Sequence, residues 1–193
     1  NQNMLDAVGA GIPTTFDELL STGKKLKSGD VAGVAMRSKA DGSAGTWPCG
    51  GFVFSNGGVV IQDGKCMLDS PEAIEAVQYY GSILNEAGPL GVGNYHWYEC
   101  LNDYMQEAVA IGLDSSNFAT DIENPEKSNA AGHTTYGAMV SGPGKQAKPN
   151  MWHWMAGINS KSQQKAAAFL FLTWANSKPT CLMSSALGLA TTR

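Results

Sequence analysis

The chain has 193 residues, 43% of them hydrophobic and 16% charged, with a formal net charge of −4. That balance suits a folded globular protein and excludes intrinsic disorder. An acidic chain gives no electrostatic case for nucleic acid or an anionic membrane. No apolar run approaches the roughly 20 residues that span a bilayer. The opening residues Asn1 to Asp6 contain neither the basic nor the apolar stretch of a secretory signal.

Thr15 and Glu18 have the spacing of a capping box, and Leu19, Leu20 and Leu26 follow at helical spacing. A helix is expected over 16–27, stopped by Ser28-Gly29-Asp30. Val31 to Met36 is a short apolar run and is expected to be a strand. Residues 37–46 are rich in Gly and Ser and form a loop. Thr46 to Phe54 is a short helix or turn, closed by Asn56-Gly57-Gly58. Val59 to Gln62 and Cys66 to Leu68 are the arms of a hairpin that turns at Asp63-Gly64.

Ser70 followed by Pro71 marks the clearest helix start. Ile74, Val77, Tyr80 and Leu84 supply its apolar stripe, and Gly88-Pro89 ends it. Another helix opens at Tyr95 to Cys100, with Leu101, Tyr104, Met105 and Ala108 on one face. Val109 to Leu113 is an apolar strand ending at Asp114. Thr135 to Val140 is a further strand, broken by Gly142-Pro143-Gly144. Met151 to Met155 is expected to be extended, with Trp152 and Trp154 on one face because residues two apart share a side. Ala166, Phe169, Leu170, Thr173 and Trp174 then form a helical stripe, and Ser177 starts a last helix near 179–187. Alternating strands and helices indicate an α/β fold.

Chemistry is scarce in the motifs. His96, His133 and His153 are the only histidines, and no G-x-S-x-G elbow accompanies them. There is no H-E-x-x-H, no paired cysteine motif, and no G-x-G-x-x-G or Walker spacing. No catalytic residue, metal or cofactor is assigned. Glu99 and Asp114 are a possible carboxylate pair with nothing in the sequence to bring them together. The four cysteines, Cys49, Cys66, Cys100 and Cys181, permit disulfides or buried thiols.

The aromatic inventory says more. Trp47, Trp97, Trp152 and Trp154 sit at element ends beside Gly, Pro or polar residues, whereas Trp174 lies in a helical stripe and reads as core. Indole faces suit the C–H faces of a sugar, and a carboxylate such as Asp114 suits its hydroxyls. Core packing is the competing account of the same rings.

Five segments in order resemble one family. They are Asn3 to Leu20 with its Pro-x-Thr-Phe-Asp-Glu-Leu, Trp47 to Gly58, the helix start Asp69 to Ala76, Trp154 to Trp174, and the tail Gly188 to Arg193. Together they resemble the extracellular solute-binding proteins of ABC transporters that take up carbohydrates. Trp152-His153-Trp154 with Trp174 to Lys178 most resembles the sorbitol- and mannitol-type polyol binders. One departure is Tyr104-Met105-Gln106-Glu107-Ala108-Val109-Ala110, where the family has Phe-x-x-Gly-Lys-x-Ala, so the local turn loses its glycine.

The resemblance implies an α/β fold of the type II periplasmic binding protein kind. Residues 1–152 would form most of the C-terminal lobe. Residues 153–193 would be hinge strand and helices that pack on an N-terminal lobe, whose first part lies outside this chain. It implies no enzyme but a binding component that takes a sugar or sugar alcohol in an interlobe cleft. Its partner would be the transmembrane permease, and its location periplasmic or extracellular at the cell surface. The expected ligand-binding residues are Trp47, Trp97, Trp152 and Trp154 as ring faces, Glu99 and Asp114 as acceptors, and Arg193 near the last hinge. Cys49 and Cys100 would lie close enough to pair. A secreted carbohydrate-active enzyme, or a binder of an osmolyte or peptide, is the alternative.

Overall fold

A computed structural model describes residues 1–41, 44–152 and 154–188. The chain divides into two compact units, Asn1–Asn150 and Met151–Arg193.

The first unit is built around two parallel strands, β1 (Ala32–Ala35) and β4 (Val109–Gly112), which pair with Ala32 opposite Val109 and Ala35 opposite Gly112. All four residues of β1 are buried, as expected of a parallel strand covered by helices. The helices α2 (Phe16–Leu26) and α4 (Pro71–Ala87) pack on β1 and on each other, and α3 (Thr46–Ser55) packs on α4. Phe16, Val34, Phe52, Tyr80 and Ile83 form the centre of that core. The helix α5 (Trp97–Met105) packs against β4, where Cys100 meets Ala32, Ala35 and Val109. The helix α1 (Gln2–Ala7) sets Leu5 against Leu26 and Ala110.

The start signals act as the sequence requires. The Thr15 hydroxyl accepts the Glu18 N–H at 3.2 Å, and Glu18 Oε2 accepts the Thr15 N–H at 3.3 Å. The Ser70 side chain accepts from Ala73 N, with Pro71 at the first helical position. The hairpin consists of β2 (Ile61–Gln62) and β3 (Lys65–Cys66), shorter than expected, and it turns at Asp63 and Gly64 with φ of 50° and 74°. Glu107, at the family's glycine position, adopts φ 58°, so the turn into β4 survives with a non-glycine residue in the left-handed region.

Several expectations are corrected. On α4 the buried face is Ala73, Ala76, Tyr80, Ile83 and Ala87. Ile74 and Val77 are instead 47% and 49% exposed. Small residues face inward because the neighbours come close: a Cβ on Gly23 of α2 would lie 2.9 Å from the Ala87 methyl. Residues 135–140 form no ladder strand; the adjacent Ser141 makes only an isolated bridge with Thr15. The four cysteines are free thiols, so Cys49 and Cys100 are not joined.

In the second unit, Met151, Trp152 and residues 154–159 carry no regular secondary structure, so the expected strand is absent there. A strand needs a partner edge for its N–H and C=O groups, and no strand is present among the described residues of this unit. Two helices follow, α7 (Lys165–Ala175) and α8 (Lys178–Ala186), and they pack on each other. Between β4 and these lies the short α6 (Ala119–Ile122), part of the first unit. Neither α7 nor α8 has a buried residue, and Trp174, expected in a core, is 57% exposed. His153 and Arg193 lie outside the described residues.

Candidate functional site

The parallel register places two opposite charges side by side. Ala35 pairs with Gly112, and each strand runs on two residues to Arg37 and to Asp114. Arg37 Nε donates to Asp114 Oδ2 at 2.8 Å, and Arg37 Nη2 donates to Oδ1, a bidentate pair. The Ser115 N–H also donates to Asp114 Oδ1 at 2.7 Å. Asp114 therefore accepts three hydrogen bonds, leaving room for about one more on a carboxylate. The pair is well covered, with 16% of the Arg37 side chain and 10% of the Asp114 side chain exposed.

Arg37 also lies over Trp47, with its guanidinium carbon 4.9 Å from the ring centroid. Trp47 sits at the start of α3, where its carbonyl accepts from Asn150 Nδ2. Its indole Nε1 is buried with no acceptor among the described residues. From below, the Tyr80 hydroxyl donates to the Arg37 carbonyl. Burial raises the Tyr80 phenol well above its ordinary range and pushes the neighbouring Cys100 thiol up to about 12. Both groups stay neutral under this charge pair at ordinary pH.

The second ring group stands at the start of α5. Trp97 stacks on Phe118, which follows β4, with centroids 5.6 Å apart and planes at 27°. Tyr98 meets Trp97 edge-on at 5.3 Å. The loop after β1 is tied to this end of α5, because the N–H groups of Ser38 and Lys39 both donate to the Tyr95 carbonyl. Glu99 is part of the helix cap: its Oε2 accepts the His96 N–H at 2.9 Å. Trp97 is 39% exposed.

Trp47 and Asp114 are thus joined through Arg37, and Trp97 with Glu99 belongs to the α5 end tied to the loop that follows Arg37. Trp152 and Trp154 belong to the second unit. Their rings touch edge-to-face with centroids 5.8 Å apart, and they are 56% and 89% exposed. Arg37, Phe118 and Tyr98 were not singled out from the sequence. Arg37 had a usable signal: it is one of two arginines, and it follows an apolar strand as Asp114 follows another. Among the described residues no cluster of three or more His, Cys, Asp or Glu side chains could hold a metal ion.

Rings and a charge pair gathered at the carboxyl ends of parallel strands follow the general rule for ligand sites in open α/β folds. The fold is that of type II periplasmic binding proteins. The chain belongs to the bacterial extracellular solute-binding protein family, whose profile matches residues 1–180.

A curated relative, an erythritol/L-threitol-binding protein of Mycolicibacterium smegmatis, is 26% identical over 111 residues, 58% of this chain. Of solved structures, an ABC transporter solute-binding protein from Agrobacterium radiobacter in complex with ribitol is 27% identical with a TM-score of 0.80, over 93% of this chain. One from Agrobacterium vitis with bound D-mannitol, at 21% identity and a TM-score of 0.77 over 98% of this chain, shares the fold. The chain spans 23% of the curated relative and 46% and 47% of the two structures.

Proposed function

We propose that the protein to which this chain belongs binds a sugar or sugar alcohol, polyols first, and delivers it to the transmembrane permease of an ABC importer. It would work in the periplasm or at the cell surface and carry out no catalysis. The observation that carries this reading is the Trp47–Arg37–Asp114 constellation at the carboxyl ends of β1 and β4 in a chain of this family. Trp47 and Trp97 would offer ring faces to C–H groups. The N–H groups of Arg37 not spent on Asp114 would donate to ligand hydroxyls, and Asp114 and Glu99 would accept. The polyols bound by the relatives support that ligand class.

Trp152 and Trp154 are proposed as further ring faces, and Arg193 as a further polar contact. Residues 1–152 are assigned to the C-terminal lobe and 153–193 to the hinge and N-terminal lobe. An aromatic cage for a quaternary amine is disfavoured, because the Arg37 guanidinium already occupies the neighbourhood of the Trp47 ring at 4.9 Å. Calorimetry of the full-length protein against ribitol, D-mannitol, erythritol, maltose and glycine betaine tests the reading. Saturable binding of a polyol or sugar is expected. Binding of betaine alone, or turnover of a chromogenic glycoside, would overturn it.

A further inference from the structure

We propose that His96 is a positioning residue for the Trp97 ring and makes ligand binding at this wall sensitive to acid. The proposal rests on the reading of Trp97 as part of a ligand wall.

His96 is the N-cap of α5, and its Nδ1 accepts the Trp97 N–H at 2.8 Å. That bond requires a lone pair on Nδ1, so it forms only with an imidazole that carries no proton on that nitrogen. Nε2 faces Asp41 Oδ2 at 3.7 Å. The imidazole also stacks on Tyr98 at 5.4 Å with planes at 16°, and meets Trp97 at 6.4 Å. Trp97 is therefore held between Phe118 on one side and the His96 cap on its own backbone.

A second proton on the imidazole removes this arrangement. Nδ1–H would then face the Trp97 N–H, donor against donor. The cation would also sit at the positive end of α5. The charged groups around it are Asp41, from the loop after β1, and Glu99, from α5, whose Oε2 holds the His96 N–H. The Tyr98 ring stacks on it. Acid therefore swaps a ring that caps Trp97 for one that turns to Asp41, and Trp97 loses one of its restraints.

The test is made on the full-length protein, wild type and His96→Asn. Asparagine caps helices well and does not titrate. The protection factor of the Trp97 amide is measured by hydrogen exchange at pH 7.5 and 5.0, beside the Kd for ribitol and D-mannitol. In the wild type, protection and affinity are each expected to fall about fivefold in acid, the size of a lost cap. In H96N both should change by less than about twofold. Equal protection at the two pH values in the wild type, or the same acid loss in H96N, would overturn the proposal. Absence of any polyol binding, with the His96-dependent loss of protection intact, would instead sink the functional reading and leave the positioning role standing.

Discussion

Arg37 and Asp114 stand at equal distance beyond a matched pair of β residues, Ala35 and Gly112, and join as a two-point ion pair. Neither is near the other in sequence; the parallel register alone makes them neighbours. With 16% and 10% of their side chains exposed, removing one partner strands a charge in a poorly hydrated place. Arg37→Ala is expected to cost about 3 kcal/mol in urea denaturation. Asp114→Ala added to it should cost much less than it does alone, a coupling of about 1–3 kcal/mol. Additive costs would show that the pair does not act as a unit.

The ring faces make a separate prediction. Trp47→Ala and Trp97→Ala should each weaken polyol binding by about tenfold or more while leaving a cooperative unfolding transition, since a truncated buried aromatic contact costs at least about 1.4 kcal/mol. Trp154→Ala tests the other unit by itself. Its ring is 89% exposed, so any loss of affinity would come from ligand contact and not from folding. Calorimetry on the full-length variants separates the three.

Signals that a few adjacent residues complete were legible in the sequence. The Thr15–Glu18 box, the Ser70-Pro71 start and the Asp63-Gly64 turn each need only local chain, and each forms. What was not legible depends on distant neighbours. The inward face of α4 could not be chosen from side-chain size, because it is set by how closely α2 approaches Ala87. Residues 135–140, and Met151, Trp152, Trp154 and Met155, have strand-like composition, but a strand exists only where a partner edge meets it. In the site, Trp47 and Asp114 stood out by residue type and position. Arg37 was hidden in a polar loop until the strand register set it against Asp114.

The contact between α2 and β1 is made backbone to backbone at Gly23 and Gly33. A Cβ on Gly33 would lie 1.9 Å from the Gly23 carbonyl oxygen, and no flexible side chain is there to yield. Gly33→Ala must push α2 away from β1, the strand that leads to Arg37. A loss of about 3 kcal/mol or more is expected, above the usual cost of an extra methyl in a core. Gly81→Ala is the control: nothing lies within 4 Å of its Cβ position, and alanine is the better helix former on α4. It should raise the urea midpoint, while G33A lowers it.

Cys100 gives the pH dependence. Burial raises its thiol from the ordinary 9.0 to about 12, and burial raises the Cys49 thiol as well. In the unfolded chain the thiol loses its proton near 9.0, whereas the folded protein holds it until about 12. Between those values the unfolded state binds fewer protons, so stability must fall as pH rises. Below the unfolded value both states are protonated and the contribution is fully present. The urea midpoint should therefore be flat from neutral pH to just below the ordinary thiol value and then decline. Cys100→Ala should make that slope shallower between the ordinary thiol value of 9.0 and the ordinary tyrosine value of 10.0, above which the raised phenols of Tyr80, Tyr95 and Tyr136 add their own decline, whatever it does to the absolute midpoint. Thiol labelling gives a second readout at neutral pH: exposed Cys66 should react at once, and buried Cys100 only as the chain unfolds. An unchanged alkaline slope in C100A, or rapid labelling of Cys100 in the folded protein, would place that thiol outside the core beneath Arg37 and Asp114.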